Sequence, residues 1–281
     1  MTDWRHPEID AIIDLALRED IGEGDVTTTT CIPADRTATG RFYARQDLVL
    51  AGVELLPAIY ERRGGVSSVE LLHASGDAVP KDEIVARVRG RARTLLECER
   101  TVLNFMQRLS GVASLARLYT EAVKHTKCRV LDTRKTTPGL RRLEKAAAAA
   151  GGVTNHRMGL YDAVLIKNNH ITEAGGVRQA LSRFHTQVAP LLPVEIEIRS
   201  RAELDEALAA GATHILLDNL TPKKAAEEIR YIGGRARVEL SGNINLNTVC
   251  AYAETGADFV SCGAITHQAQ SCNLNFRIEL D

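Results

Sequence analysis

Six short stretches rich in β-branched residues, RVLDT (129–133), AVLIK (163–167), VEIEI (194–198), HILLDN (214–219), RVELSG (237–242) and FVSCG (259–263), each run into residues able to bind charge. The first leads into Arg134 and Lys135, and the second ends on Lys167. The third carries Glu195 and Glu197, and the fourth ends on Asp218 and Asn219. The fifth closes on Ser241, Gly242 and then Asn243, the sixth on Gly263. Arginine grips carboxylates and phosphates through a planar fork, and lysine acts as a point charge. Two carboxylates among such cations suit a magnesium ion that also carries phosphate oxygens. Backbone N–H groups in the SGN and SCG turns suit a monophosphate. Together these types describe a site for a phosphorylated sugar, a diphosphate leaving group and an acidic co-substrate.

Each feature alone has a plainer reading. A lysine at a strand end is usually solvated, and glycine turns end many strands. Glu195 and Glu197 are harder to dismiss: they point to the same side of one strand, and charges inside a buried parallel strand are costly unless paired. The segment DTRKTTPGLRRLEKAAAAAGG (132–152) places Arg141, Arg142 and Lys145 on or just before a helix, where a solvated face competes with a ligand-facing one. His6, His73, His125, His185 and His214 have no partner visible in the sequence and receive no role. The recurrence of charged residues at successive strand ends favours the chemical reading.

The elements that position these residues are also legible. The six stretches alternate with helical segments whose ends are marked. SRAE (200–203) is a capping box, TPKK (221–224) puts Thr221 at a cap and Pro222 at the first helical position, and Gly256 stops a helix. Strands alternating with helices of this length imply a parallel sheet, and active sites of parallel barrels gather at the strands' carboxyl ends. With no dinucleotide-type glycine loop, a closed or nearly closed barrel is favoured over a doubly wound sheet. Ahead of it, HPEIDAIIDLALREDIG reads as a helix, GRFYARQDLVLAG and DEIVARVRGRAR as extended, and TLLECERTVLNFMQRLSG as a helix ending at Gly111. The strictly alternating NLNFRIEL (273–280) is expected to return as a strand to this first domain. The expected class is thus α/β: an N-terminal α/β sandwich domain at 1–111, joined by 270–281, and an incomplete parallel α/β barrel at 112–269.

Composition narrows the partners. With 281 residues and a net charge of −1, the chain lacks a general electrostatic footprint for nucleic acid. Basic character concentrates between Arg134 and Lys167, where seven Arg and Lys face two Asp and Glu, an excess of five. A nucleic-acid-binding module is the reading from another class, and it predicts strongly salt-dependent affinity. Placement of the cations beside Glu197 and Asp218 argues against it. The six cysteines show no CxxC pair or zinc-ligand spacing, which reads as a reduced, cytoplasmic chain. The N-terminus lacks an apolar signal core, and no run of about 18 apolar residues spans a membrane.

The stretches ALREDIGEGDVTT, ERTVLNFMQRLSG, DTRKTTPGLRRLEK, GGVTNHRMGLYDAVLIKNNHI, LLDN, VELSGNI and SCGAITH resemble, in order, the quinolinate phosphoribosyltransferase family. The resemblance spans nearly the whole chain. It implies a type II phosphoribosyltransferase fold and transfer of phosphoribose from phosphoribosyl diphosphate to quinolinate, with loss of diphosphate and carbon dioxide, in NAD biosynthesis. By resemblance, Arg134, His156, Arg157 and Lys167 bind quinolinate's carboxylates, with Thr133 in the same substrate site. Lys135 faces the diphosphate or the developing ribosyl charge, while Glu197 and Asp218 hold magnesium or the ribose hydroxyls. Ser241, Gly242, Asn243 and Gly263 receive the 5′-phosphate with His267. Arg100 comes from the other subunit of a homodimer. Leu240 is larger than the residue expected before Ser241. A related branch associated with molybdenum transport shares DTRKTTPG but lacks the KNNH stretch, which is intact here at 167–170. A phosphoribosyltransferase acting on nicotinate is the nearer alternative, with fewer carboxylate clamps.

Overall fold

The computed structural model describes residues 4–187 and 192–280. Its first half runs α1 (Pro7–Ile21), α2 (Val26–Cys31), β1 (Thr37–Ala44), β2 (Leu48–Val49), α3 (Leu56–Glu61), β3 (Ser68–Leu71), β4 (Ala78–Val79), β5 (Ile84–Arg91) and α4 (Ala92–Val123). There follow β6 (Arg129–Leu131), α5 (Arg141–Ala150), β7 (Val164–Ile166), α6 (Asn168–Ala174), α7 (Val177–Gln187), β8 (Val194–Ile198) and α8 (Arg201–Ala209). The last are β9 (His214–Asp218), α9 (Pro222–Ile232), β10 (Arg237–Ser241), α10 (Val249–Ala253), β11 (Phe259–Ser261), α11 (Ala264–His267) and β12 (Leu274–Leu280). The chain divides into two compact units. One comprises residues up to Arg117 with 136–152 and 265 onward; the other comprises 118–135 and 153–264.

In the first unit, β12, β1, β5 and β3 form an antiparallel sheet in that order. The alternating tail does return: Phe42 on β1 is in register with Phe276 on β12, and their rings stack at 4.7 Å. Gly40 leaves room for this pair, because a Cβ there would lie 2.2 Å from the Phe276 ring. The helix expected to stop at Gly111 continues to Val123. Gly111 serves packing instead of termination: a Cβ would fall 2.0 Å from the Gln270 carbonyl oxygen, so only glycine lets the 270–271 backbone cross the helix there.

The second unit holds all six expected strands in one parallel sheet, ordered β6-β11-β10-β9-β8-β7. β6 and β7 end that order, so the barrel is incomplete among the described residues; Leu131 makes one isolated parallel bridge to Thr154. Thr221 and Ser200 cap their helices as expected, but the Glu203 carboxylate reaches one residue beyond the box, to Arg199 instead of Ser200. Thr221 accepts from the Lys224 N–H and Ser200 from the Glu203 N–H, while the Glu203 carboxylate accepts from the Arg199 N–H. No described helix is long and apolar enough to cross a membrane.

Candidate active site

Alternation along the six strands sorts residues onto two faces. Register places Leu240 level with Leu217 and Val260, so with Ile196, Ile198, Ile215 and Val238 it forms the buried aliphatic face that the helices cover. Leu240 therefore points away from Ser241, and its bulk does not enter the turn beyond. The opposite face carries Glu195, Glu197, Asp218, Glu239, Ser241 and Ser261. Polar groups on the interior face of a parallel sheet need partners or a ligand.

At the carboxyl end of β6, Asp132 is fully buried and organises the next loop. Its Oδ1 accepts the His156 backbone N–H at 2.8 Å, and its Oδ2 accepts the Asn155 side-chain amide at 2.6 Å. Asp162 accepts the N–H groups of Met158 and Gly159 at 2.7 and 2.9 Å. The Asn155–Gly159 loop is thus held at both ends, and Arg157, half-buried, donates to the Ala163 carbonyl oxygen at 3.2 Å. Burial, followed by the field of the Arg134 guanidinium, lowers the Arg157 pKa. The Asp162 and Glu195 carboxylates offset part of this, and a ligand carboxylate beside Arg157 would act in the same direction.

After β7, Lys167 is exposed and opens α6, its backbone N–H donating to His170 Nδ1 at 2.9 Å. Glu197 on β8 is 7% exposed; its pKa is raised first by burial and then by the Asp218 carboxylate, while Lys167 pulls it back. These two carboxylates and one ammonium thus share a field at the strand ends. After β9 and β10, Asn219, Gly242 and Asn243 all adopt left-handed backbone, with φ of 56°, 94° and 54°. The Asn219 N–H donates to the Ser241 carbonyl oxygen at 2.9 Å, and Asn243 Nδ2 to Asn219 Oδ1 at 3.2 Å. A Cβ on Gly242 would lie 2.3 Å from Asn219 Oδ1, so the two turns interlock only around a glycine.

Inside the sheet sits a second charged group. His156 Nε2 lies 3.2 Å from Glu195 and 3.5 Å from Glu239, which is 1% exposed. Burial works against the imidazolium, but the bonds to Glu195 and Glu239 outweigh it and hold His156 up at about 9. Burial raises Glu195, whereas His156 and Ser261 overcome burial at Glu239 and lower it. The imidazole thus faces two buried carboxylates that burial and His156 push in opposite directions.

With this geometry in place, comparison with known proteins is decisive. The family model described as quinolinate phosphoribosyl transferase, N-terminal domain matches residues 25–110, and its C-terminal domain counterpart matches 112–277. The chloroplastic carboxylating nicotinate-nucleotide pyrophosphorylase of Oryza sativa subsp. japonica is 38% identical over 98% of this chain and 80% of its own. The crystal structure of NadC from Streptococcus pyogenes superimposes with a TM-score of 0.95 at 35% identity, covering 100% of both chains. The nicotinate-nucleotide pyrophosphorylase of Francisella tularensis gives 0.93 at 33% identity, covering 99% of this chain and 100% of that one.

The chain belongs to the quinolinate phosphoribosyltransferase family. In this phosphoribosyltransferase, Thr133, Arg134, Lys135, Lys167, Glu197, Asp218, Ser241, Gly242, Asn243 and Gly263 fall in the six-stranded unit on or just beyond its strands, and His156 and Arg157 fall in the same unit on the loop ahead of β7. Arg100 and His267 belong to the other unit, and both are exposed. Arg141 and Arg142 are half-buried in that unit too: Arg141 Nε donates to Thr136 Oγ1 at 3.0 Å and Arg142 Nε to Glu8 at 2.6 Å. Lys145 is fully buried. A solvated helix face is therefore the wrong description of α5.

Sequence reasoning missed Asp132, Asp162, His170 and Glu239. Only His170 had a local signal, since it stands three residues after the cap residue Lys167. It also missed the Arg108–Glu144 pair of the first unit: Arg108 Nη2 meets the fully buried Glu144 at 2.7 Å and donates to the Thr266 carbonyl oxygen at 2.6 Å. His125 is not partnerless either, lying 3.1 Å from Glu254.

Proposed function

We infer that this enzyme works by positioning and electrostatics at the carboxyl ends of its six parallel strands. It transfers phosphoribose from phosphoribosyl diphosphate to the ring nitrogen of quinolinate, giving nicotinate mononucleotide, diphosphate and carbon dioxide in NAD biosynthesis. The observation that carries the reading is the half-buried Arg157 on a loop pinned by Asp132 and Asp162, a cation held in place for a two-carboxylate substrate.

In this reading Arg134, Arg157 and Lys167 clamp quinolinate's two carboxylates, with Thr133 beside them and His156 as the loop's inner anchor. Ser241, Gly242, Asn243 and Gly263 hold the 5′-phosphate through the interlocked turns. Lys135, exposed just past β6, faces the diphosphate. The pyridine nitrogen attacks the anomeric carbon as its bond to the diphosphate oxygen breaks. The C–C bond to the adjacent carboxylate then breaks, its electron pair staying on the ring carbon beside the positive nitrogen. That carbanion takes a proton after carbon dioxide leaves. No side-chain nucleophile is needed, because positioning and field stabilisation supply the rate.

Glu197 and Asp218 fit magnesium. They are two hard oxygen donors in one field, and their mutual repulsion is relieved by a cation. When bound, the ion would neutralise charge on the diphosphate leaving group. We place the enzyme in the cytoplasm, in line with its unpaired cysteines.

The test is coupled release of carbon dioxide and diphosphate from quinolinate and phosphoribosyl diphosphate in the presence of magnesium. Nicotinate in place of quinolinate should give neither. Diphosphate release with nicotinate, or none with quinolinate, overturns the substrate assignment.

We further propose a homodimer in which the partner subunit's Arg100 completes each site. Arg100 is exposed on α4 and has no ion pair among the described residues, consistent with a role outside its own unit. Arg100→Ala and Lys135→Ala subunits, each nearly inactive alone, can be unfolded and refolded together. Random pairing makes about half the dimers mixed, each with one intact site, so about a quarter of wild-type activity returns. If Arg100 acts within its own chain, none returns.

A further inference from the structure

At the amino ends of β6 and β11, three donors of different chemistry meet on the surface of the six-stranded unit. His125 stands in the turn between α4 and β6, and Cys250 and Glu254 lie one helical turn apart on α10 and its cap. His125 Nε2 lies 3.1 Å from Glu254 Oε1, Cys250 Sγ lies 3.4 Å from the same oxygen, and Sγ lies 3.9 Å from Nε2. All three donor atoms fall within 4.8 Å of one another.

We propose that His125, Cys250 and Glu254 form a zinc site. An imidazole nitrogen, a thiolate and a carboxylate are the three ligand types that zinc takes, whereas magnesium takes oxygen alone. Tetrahedral zinc with ordinary bond lengths separates such donors by about 3.3–3.6 Å. The observed edges bracket that range, so tenths of an ångström of side-chain movement complete the triangle. His125 and Glu254 are exposed, which leaves the fourth position to water. Binding replaces the S–H of Cys250, which now points to Glu254, by a Zn–S bond, and the proton passes to buffer.

The position of the cluster assigns its role. His125 lies four residues before the first residue of β6, and Glu254 five before the first residue of β11. Both therefore precede the amino ends of neighbouring parallel strands, the opposite end of the sheet from Lys167, Asp218 and Ser241. Residues at that end of a parallel barrel serve stability, not chemistry. Zinc here pins α10 to the turn that enters β6, and this conclusion does not depend on the phosphoribosyltransferase mechanism.

Cobalt(II) is the first probe, added to reduced full-length protein in excess magnesium so that the Glu197–Asp218 pair is occupied. The wild type should develop a thiolate-to-cobalt charge-transfer band that zinc bleaches. Cys250→Ser and His125→Ala should lose it, while Cys31→Ser, which removes the other accessible thiol, should keep it. Zinc should raise the Tm of the wild type and of Cys31→Ser, leave that of Cys250→Ser unmoved, and leave quinolinate turnover unchanged. No band in the wild type, a band that survives Cys250→Ser, or cobalt binding without any zinc-dependent Tm shift overturns the proposal.

Discussion

Two carboxylate pairs grow from the same sheet face and meet opposite fates. Glu195 and Glu239 converge on His156, whose ring nitrogen they share within the protein. Glu197, two residues further along β8, and Asp218, at the end of β9, share a field with each other and with Lys167 but are bonded to no histidine. The first pair already faces a cation inside the fold, although Glu195 Oε1 and Glu239 Oε2 accept no hydrogen bond among the described residues; the second is left for a ligand. The contrast teaches that the functional boundary in this sheet runs across a strand, between residues two apart, and not between strands.

Breaking the inner pair should give the largest effect. Glu239→Ala removes a nearly inaccessible carboxylate from the group and leaves the His156 ring only Glu195. A loss of about 3–5 kcal/mol of stability is expected in chemical denaturation. A loss near zero would show that His156 is neutral and the inner group is not an ion-pair network.

At the mouth the effect should move from stability to affinity. Arg157→Ala should cost roughly 2–5 kcal/mol in quinolinate binding, while phosphoribosyl diphosphate binding stays within a few-fold. Calorimetry with each substrate decides it, and unchanged quinolinate affinity removes Arg157 from the clamp. Asp218→Asn should weaken phosphoribosyl diphosphate more than quinolinate, by about 1.5–3 kcal/mol, as a hydrogen-bonded charge is lost. Its stability should remain within about 0.5 kcal/mol of wild type, unlike that of Glu239→Ala. Wild-type magnesium dependence in Asp218→Asn would move the metal role elsewhere.

The smallest effect is a titration. His156 is raised in the folded protein, so its stabilising contribution is complete below its ordinary value of about 6.5 and fades as pH rises through about 9. Its ring resonances followed by NMR should titrate well above the ordinary histidine value. A midpoint near 6.5 would mean that burial wins over Glu195 and Glu239.

Much of the fold was legible because it depends on local patterns. β-branched runs bounded by caps marked all six parallel strands, and strict alternation marked β12 as a returning strand. Gly111 misled because a glycine within a helix and a glycine ending one look alike until the 270–271 backbone is seen against it. The residues expected at strand ends, from Arg134 and Lys135 to Gly263, lie on or just past the six strands, because a parallel strand fixes which of its ends gathers the loops.

What the sequence determined alone was the inventory of charges and the strand ends on which they stand, since both follow from periods of two and of 3.6 residues. Which charges are already satisfied was decided by tertiary structure. Glu195 and Glu197 have the same sequence context, yet only Glu195 meets His156, 39 residues away. Glu144 beside three cations read as part of a basic helix, yet its partner is Arg108, 36 residues back. Ion pairing depends on distance through space, and in a low-dielectric interior a few ångströms decide whether a carboxylate is held by a partner or waits for one.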